Sequence, residues 1–157
     1  MNRLQPWAAK AANSLMEDGI ITYSVSQLPS DGSRGWVDHT MRKLEDDLGI
    51  DFVRVNSGGE IDINYKDELT GQSENPRLLG FAATNGKNYN TYIEVKNYEY
   101  YKSTMVHEVG HALGLDHIHE DYFSVMSYER DKGAVDYFSD HDLLALQSVF
   151  NPYTTLL

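Results

Sequence analysis

Two rhythms of apolar residues run along this chain, one returning at every third or fourth position and one at every second. Over residues 5–17 the helical rhythm puts Trp7, Ala8, Ala11, Ala12 and Leu15 on one face, with Gly19 beyond the end. Residues 20–25 have strand composition, and residues 29–35, bounded by Pro29 and Gly35, read as a turn cluster. From 36 to 48, Val37, Met41, Leu44 and Leu48 recur at helical spacing, and Gly49 closes the run. Residues 51–55 and 60–65 read as two strands joined through residues 56–59. In the second, Ile61, Ile63 and Tyr65 alternate with Asp62 and Asn64, the mark of a half-buried strand. The polar stretch 66–77, with Gly71 and Pro76, is expected to be a surface loop. A fourth strand is expected at 78–84, a turn at 85–90, and a fifth strand at 91–96 with Ile93 and Val95 facing opposite to Tyr92 and Glu94.

Beyond the strands the helical rhythm returns. At about 100° per step, Met105, Val106, Val109, Ala112 and Leu113 fill one broad arc, the side that would press into a core. Ser103 is expected to cap this helix. Gly114 tolerates the left-handed dihedrals with which many helices end. From His117 to about Phe138 no clear secondary structure is read. Ser139 with Asp142 then opens a last helix, in which Leu143, Leu144, Leu146, Gln147 and Phe150 precede Pro152. No internal repeat or low-complexity tract interrupts this order, which predicts an α+β domain with a mixed sheet carried on helices.

Composition narrows the class. The 157 residues make one domain's worth of chain. With 41% hydrophobic residues, 11 tyrosines and 2 tryptophans, it is globular rather than disordered. A net charge of −11 argues against nucleic acid, which needs a basic face, and against anionic membrane surfaces. It agrees with a weak preference for basic substrates, or simply with an acidic surface. There is no cysteine, so no disulfide framework and no thiol to cap a metal. No apolar run approaches the length of a membrane span. Lys10, Asn13, Glu17 and Asp18 interrupt any signal-peptide core near the N-terminus.

The candidate chemistry lies in residues 107–117, H-E-V-G-H-A-L-G-L-D-H. His107 and His111 stand one helical turn apart, opposite the apolar arc, with Glu108 roughly 60° round from His111. If the chain turns at Gly114, His117 can swing back as a third imidazole. Three nitrogen ligands with a fourth position left to water make a catalytic zinc arrangement rather than a closed structural one. Zinc lowers the pKa of such a water to about 7, and a nearby carboxylate can take its proton as it attacks a carbonyl. Chance agreement with the full pattern is on the order of one in ten million windows at average residue usage. The expected metal ligands are therefore His107, His111 and His117, and the expected base is Glu108. His39, His119 and His141 are expected to be exposed. Tyr89, Tyr92, Tyr98, Tyr100 and Tyr101 are expected to pack in strands rather than line a groove. Asp116, Glu120, Asp121, Asp131, Asp136 and Asp140 could include calcium ligands, but no loop of the EF-hand kind is present and surface charge is the favoured reading.

At this point the sequence resembles the metzincin clan of zinc endopeptidases, through the eleven-residue motif and through Ser124-Val125-Met126-Ser127-Tyr128, which looks like the clan's methionine turn. The resemblance implies that Met126 lies beneath the three histidines as an apolar floor. It implies that Tyr128 reaches the zinc, like the tyrosine of serralysins and astacins, and donates a hydrogen bond to the developing oxyanion. It also implies an upper lobe (about 1–114) with a twisted mixed five-stranded sheet and two helices, and a small lower lobe (about 115–157) with a C-terminal helix. Residues 78–84 would edge the cleft, where a substrate peptide adds as an extra strand, and 129–138 would shape the pocket for the residue after the cut. The Leu-Gly-Leu run and the short last helix lean towards serralysins and matrixins. Ile118 departs from the serine or proline usual after the third histidine in those branches, and neither glycine-rich calcium repeats nor a matrixin-type cysteine propeptide is present.

The leading expectation is a zinc endopeptidase, acting as a monomer on protein or peptide substrates, with secretion favoured by the resemblance although no signal peptide is read. The alternative is a zinc-bearing interaction domain that is catalytically silent or blocked by its own N-terminal segment. A weaker third reading is an exopeptidase trimming short peptides.

Overall fold

The computed structural model describes residues 3–26 and 31–154, and it builds the α+β architecture around a single five-stranded sheet. In chain order the elements are α1 (Ala8–Leu15), β1 (Ile20–Val25), α2 (Asp31–Leu48), β2 (Asp51–Arg54), β3 (Ile61–Lys66), β4 (Gly80–Thr84), β5 (Thr91–Lys96), α3 (Tyr101–Ala112) and α4 (Asp140–Phe150), followed by a 3-10 turn at Asn151–Tyr153. The strand order is β2-β1-β3-β5-β4. The first four of these run parallel, and β4 pairs antiparallel with β5 at the edge, Ala82 opposite Ile93. The strands on either side of residues 56–59 are thus not neighbours, because β1 lies between them.

One face of the sheet carries the core. Ile21, Ile61, Ile63, Ile93 and Val95 meet Val37, Met41 and Leu44 of α2 and Met105, Val106 and Val109 of α3 in one continuous buried cluster. The alternation read in β3 holds: Ile61, Ile63 and Tyr65 are buried and Asp62 and Asn64 half-buried. The opposite face is stitched by polar cross-strand bonds, including Ser24 Oγ donating to Asp62 Oδ1 at 2.9 Å and Thr22 Oγ1 to Glu60 Oε1 at 3.1 Å. Glu94 points the way expected but is fully buried, because the 67–79 loop folds over it. Thr70 donates to it from N and Oγ1 at 2.8 and 3.0 Å, and Tyr92 from its hydroxyl at 2.6 Å. Burial would raise this carboxyl, yet those bonds and Lys66 at 3.4 Å hold it below the usual range.

Three expectations need correction. The turn cluster at 29–35 is helical from Asp31, while Pro29 and Ser30 lie outside the described residues. Gly32 and Gly35 disfavour a helix, but Ser33 is buried and its carbonyl accepts from the Tyr65 hydroxyl at 3.5 Å, so packing overrides propensity. The first helix is shorter than 5–17, with Trp7 at its N-cap stacked on Tyr89 instead of continuing the helix. Ser103 does not cap α3, which begins two residues earlier; its hydroxyl donates to Val135 O at 2.6 Å and accepts from Arg130 Nε at 2.8 Å. The last helix opens as expected, with Ser139 and Asp142 in a reciprocal capping box.

Candidate active site

Helix α3 lies between the core and a cleft. Its apolar arc is buried completely, which fixes the rotation of the helix and aims His107 and His111 away from the core. After Leu113 the chain takes a left-handed step at Gly114, φ +107°. A Cβ there would sit 2.7 Å from Ala8 Cβ, so the turn needs glycine for both reasons. The turn returns His117 to the other two. One ligand atom from each of the three rings lies within 4.8 Å of the others, and His111 Nε2 is 3.0 Å from His117 Nε2. Two nitrogens on a tetrahedral zinc at about 2.05 Å stand about 3.3 Å apart, so this spacing is close to that of ligands.

Backbone carbonyls set the tautomers. His107 Nδ1 contacts Val125 O at 2.8 Å and His111 Nδ1 contacts Leu115 O at 2.9 Å. A carbonyl can only accept, so each Nδ1 carries the proton and each Nε2 keeps its lone pair. Burial lowers all three imidazoles below the ordinary histidine range, His107 to about 3 and His117 to about 4, with positive charge on His111 the next cause in both. Neutral rings with converging lone pairs are the donor set a zinc ion requires.

Glu108 is buried beside this group, Oε1 3.9 Å from His107 Nε2. Burial raises its carboxyl to about 8, against the pull of Arg130. Beneath the helix, Met126 is buried and its sulfur would lie 2.5 Å from a Cβ at Gly110. The glycine inside the motif therefore lets the methionine turn approach, and Ile118 N donates to Met126 O at 3.3 Å to close the layer. Tyr128 lies tilted by 31° against His117, 4.3 Å between ring centres, its hydroxyl 3.3 Å from Nδ1. It stays exposed towards the cleft, and burial followed by the charge of Glu108 raises its phenol.

The cleft holds about 460 Å³. Residues 77–82, ending in edge strand β4, form one wall, and the three histidines, Glu108 and Tyr128 form the floor and far side. Gly80 brings that wall close, since a Cβ there would meet Thr104 Cγ2 at 2.7 Å and Glu108 Cγ at 3.4 Å. All five expected site residues are thus gathered in one place. His39 and His119 are exposed, and the His141 side chain is 72% exposed, as expected. None of the five tyrosines expected to pack in strands lines this cleft, but only Tyr92 lies in a strand: Tyr101 opens α3, and Tyr89, Tyr98 and Tyr100 sit in the connections on either side of β5. Among the described residues the three histidines are the only group of metal-ligating side chains close enough to share an ion, so the acidic residues read as calcium candidates form no such group.

The sequence placed Arg130 only within the pocket-shaping stretch 129–138 and singled out no role for it; it is buried and lines the cleft. Its Nε donates to Ser103 Oγ and its Nη1 to Ser127 O, both at 2.8 Å. It thereby ties α3 to the methionine turn. Nothing in local pattern marks an arginine in a polar loop as buried. Gly110 did leave a signal, because a glycine inside a helix costs about 1 kcal/mol against alanine and asks for a packing reason.

The family profile described as Matrixin matches residues 36–151. No curated protein matches the chain in sequence. Among solved structures, myroilysin is similar at a TM-score of 0.58 and 14% identity, over 88% of this chain and 94% of that one. High choriolytic enzyme 1, a hatching enzyme zinc-protease from Oryzias latipes, is similar at 0.58 and 17% identity, over 96% and 99%. Archaemetzincin from Methanopyrus kandleri is similar at 0.54 and 15% identity, over 84% and 95%. These likenesses support the fold: a mixed five-stranded sheet with helices, as in metzincin proteases.

Proposed function

The chain belongs to the matrixin family and is a zinc metalloendopeptidase of the metzincin type; from that premise we propose that it cuts internal peptide bonds with His107, His111 and His117 holding the metal and Glu108 carrying the proton. The observation that supports this most is that two imidazoles are locked by backbone carbonyls with their Nε2 lone pairs turned to the third ring, beside a buried carboxyl and an open cleft.

When bound, zinc supplies a Lewis acid that polarises the scissile carbonyl and brings the pKa of an attacking water to about 7. The substrate peptide lies extended along β4, the edge strand, whose outer side no other strand covers among the described residues, between the part of the chain up to Gly114 and the part after it. Glu108 accepts a proton from the attacking water and passes it to the leaving amine. The Tyr128 hydroxyl swings off His117 to donate to the oxygen on which negative charge develops. Met126 keeps the underside of the histidines dry. The Arg130 guanidinium holds the methionine turn against α3 and tempers the rise in Glu108's pKa.

The test is Glu108→Ala. Zinc content should stay at the wild-type level while casein cleavage falls by about 10²–10⁴-fold, and a chelator should abolish the wild-type activity. Retained cleavage in the variant removes Glu108 from the mechanism. A wild-type chain that holds zinc and cuts nothing would instead be the silent binding domain. Against that reading stands Glu108 itself, which a pure ligand site does not require; nor do residues 3–7 line the cleft, as they run past Gly114 and Asp116.

A further inference from the structure

The charge of the cleft is opposite to that of the chain. Across the sequence 24 acidic residues outnumber 13 basic ones. Among the described residues lining the cleft, Arg77, Arg130 and Lys132 are basic and Glu108 alone is acidic. None of the three cations has a carboxylate partner among the described residues. Of the two acidic residues flanking Arg130, Asp131 turns its Oδ1 back to Gly133 N at 2.9 Å, and Glu129 is exposed with no ion pair among the described residues.

Arg130 is the most informative of them. A buried guanidinium without a contact ion pair is costly; Arg130 feels Glu108 only at a distance, two of its nitrogens are satisfied by neutral oxygens, and Nη2 takes no hydrogen bond among the described residues. Lys132 is half-buried at the same wall, and Arg77 is exposed at the mouth, just ahead of β4. A carboxylate entering the cleft would meet a fixed cation in a partly desolvated place, where such contacts are strongest. The net charge of −11 does not cancel this. Surface charges farther away than about 8–10 Å are screened at physiological salt, whereas a contact pair inside the cleft is not.

We propose that this cleft selects peptides that bring a carboxylate close to the bond being cut, with Arg130 and Lys132 as the groups that receive it and Arg77 as an outer guide. The proposal rests on the peptidase reading of the same site and names its substrate class: peptides acidic beside the scissile bond, in contrast to the basic preference that net charge alone suggests. The carboxylate has two sources, an aspartate or glutamate side chain within the peptide or the free C-terminus of a short one. Both make the same contacts.

Binding to the zinc-loaded Glu108→Ala protein tests this without turnover. Fluorescence anisotropy would be followed for labelled neutral peptides with amidated C-termini, carrying a single Glu or Gln stepped along the sequence, and for the Gln peptides as free acids. At one register the Glu peptide, or the free acid, should bind about tenfold tighter than its neutral match at low salt. Lys132→Glu, which alters a half-exposed side chain, should bring that ratio to within twofold. Tightening by internal Glu assigns the carboxylate to a side chain, and tightening by the free acid alone assigns it to the chain end. Equal binding of all peptides, preference for Lys at that register, no measurable binding, or a ratio indifferent to Lys132→Glu each overturns the proposal. A wild-type protein that prefers acidic peptides yet cuts none overturns the peptidase reading and leaves the cleft's selectivity standing.

Discussion

Glu108 and His107 approach to 3.9 Å, but at neutral pH in the metal-free chain this is a contact of two uncharged groups. Burial raises the carboxyl to about 8, with Arg130 opposing, and burial lowers the imidazole to about 3. The consequences for stability run in opposite directions. The unfolded chain protonates His107 and His117 near 6.5 while the folded chain waits until about 3 and 4, so their contribution is full above pH 6.5 and drains away as pH falls. Glu108 keeps in the fold a proton that it loses near 4.5 when unfolded, so its contribution is full below 4.5 and drains as pH rises through 8. The three lowered histidines outweigh the one glutamate below 6.5, and well above it Glu108 acts alone. Metal-free protein should therefore lose thermal stability from pH 6.5 to pH 8, and Glu108→Gln should abolish that loss. Melts of the variant that decline over this interval as steeply as wild type contradict the assignment. The residue types at the site were readable because HExxH spacing is itself a geometric statement. Arg130 was not, since only the folded loop shows that it is buried.

At the scale of elements, the zinc helix is set by two close approaches that its glycines permit. Gly110→Ala should gain about 1 kcal/mol of helix propensity, yet the added methyl meets Met126 Sδ at 2.5 Å and Phe138 Cε1 at 3.1 Å. Overpacking of that kind costs about 1–3 kcal/mol, so chemical denaturation should show a net loss of stability together with weaker zinc retention. A variant more stable than wild type would mean that Met126 yields freely. Strands were legible where one face is apolar, as with Ile61, Ile63 and Tyr65. Glu94 shows the limit of that rhythm. A carboxylate on the outward face reads as exposed, and its burial depends on Thr70 reaching over from a loop 24 residues earlier. The helical start at Asp31 escaped for a similar reason, because what offsets its glycines is packing against β3.

Over the whole molecule, the segment around Arg3 and Gln5 joins the turn after α3 to the start of α4. Arg3 donates to Asp142 Oδ1 at 2.8 Å and to Asp121 Oδ2 at 2.9 Å, while Gln5 N donates to Gly114 O at 2.7 Å. Asp142 also accepts from Ser124 Oγ at 2.8 Å, so the N-terminal segment, the methionine turn and α4 share one buried carboxylate. Arg3→Ala should cost about 1–3 kcal/mol in denaturation, more than an exposed pair could; a change under about 0.5 kcal/mol would put the tie at the level of ordinary surface substitutions. No local pattern links residue 3 to residue 142, and such long-range contacts are what a linear reading leaves out. The convergence of three imidazoles on one zinc ion beside Glu108 underlies the rest, and anomalous diffraction at the zinc edge from crystals of the loaded protein tests it most directly. The expected result is one ion per chain, about 2.0–2.1 Å from Nε2 of His107, His111 and His117, with solvent or a displaceable Tyr128 phenol in the fourth position. An anomalous peak elsewhere, a third ring out of reach, or a fourth position sealed by another protein side chain would contradict it.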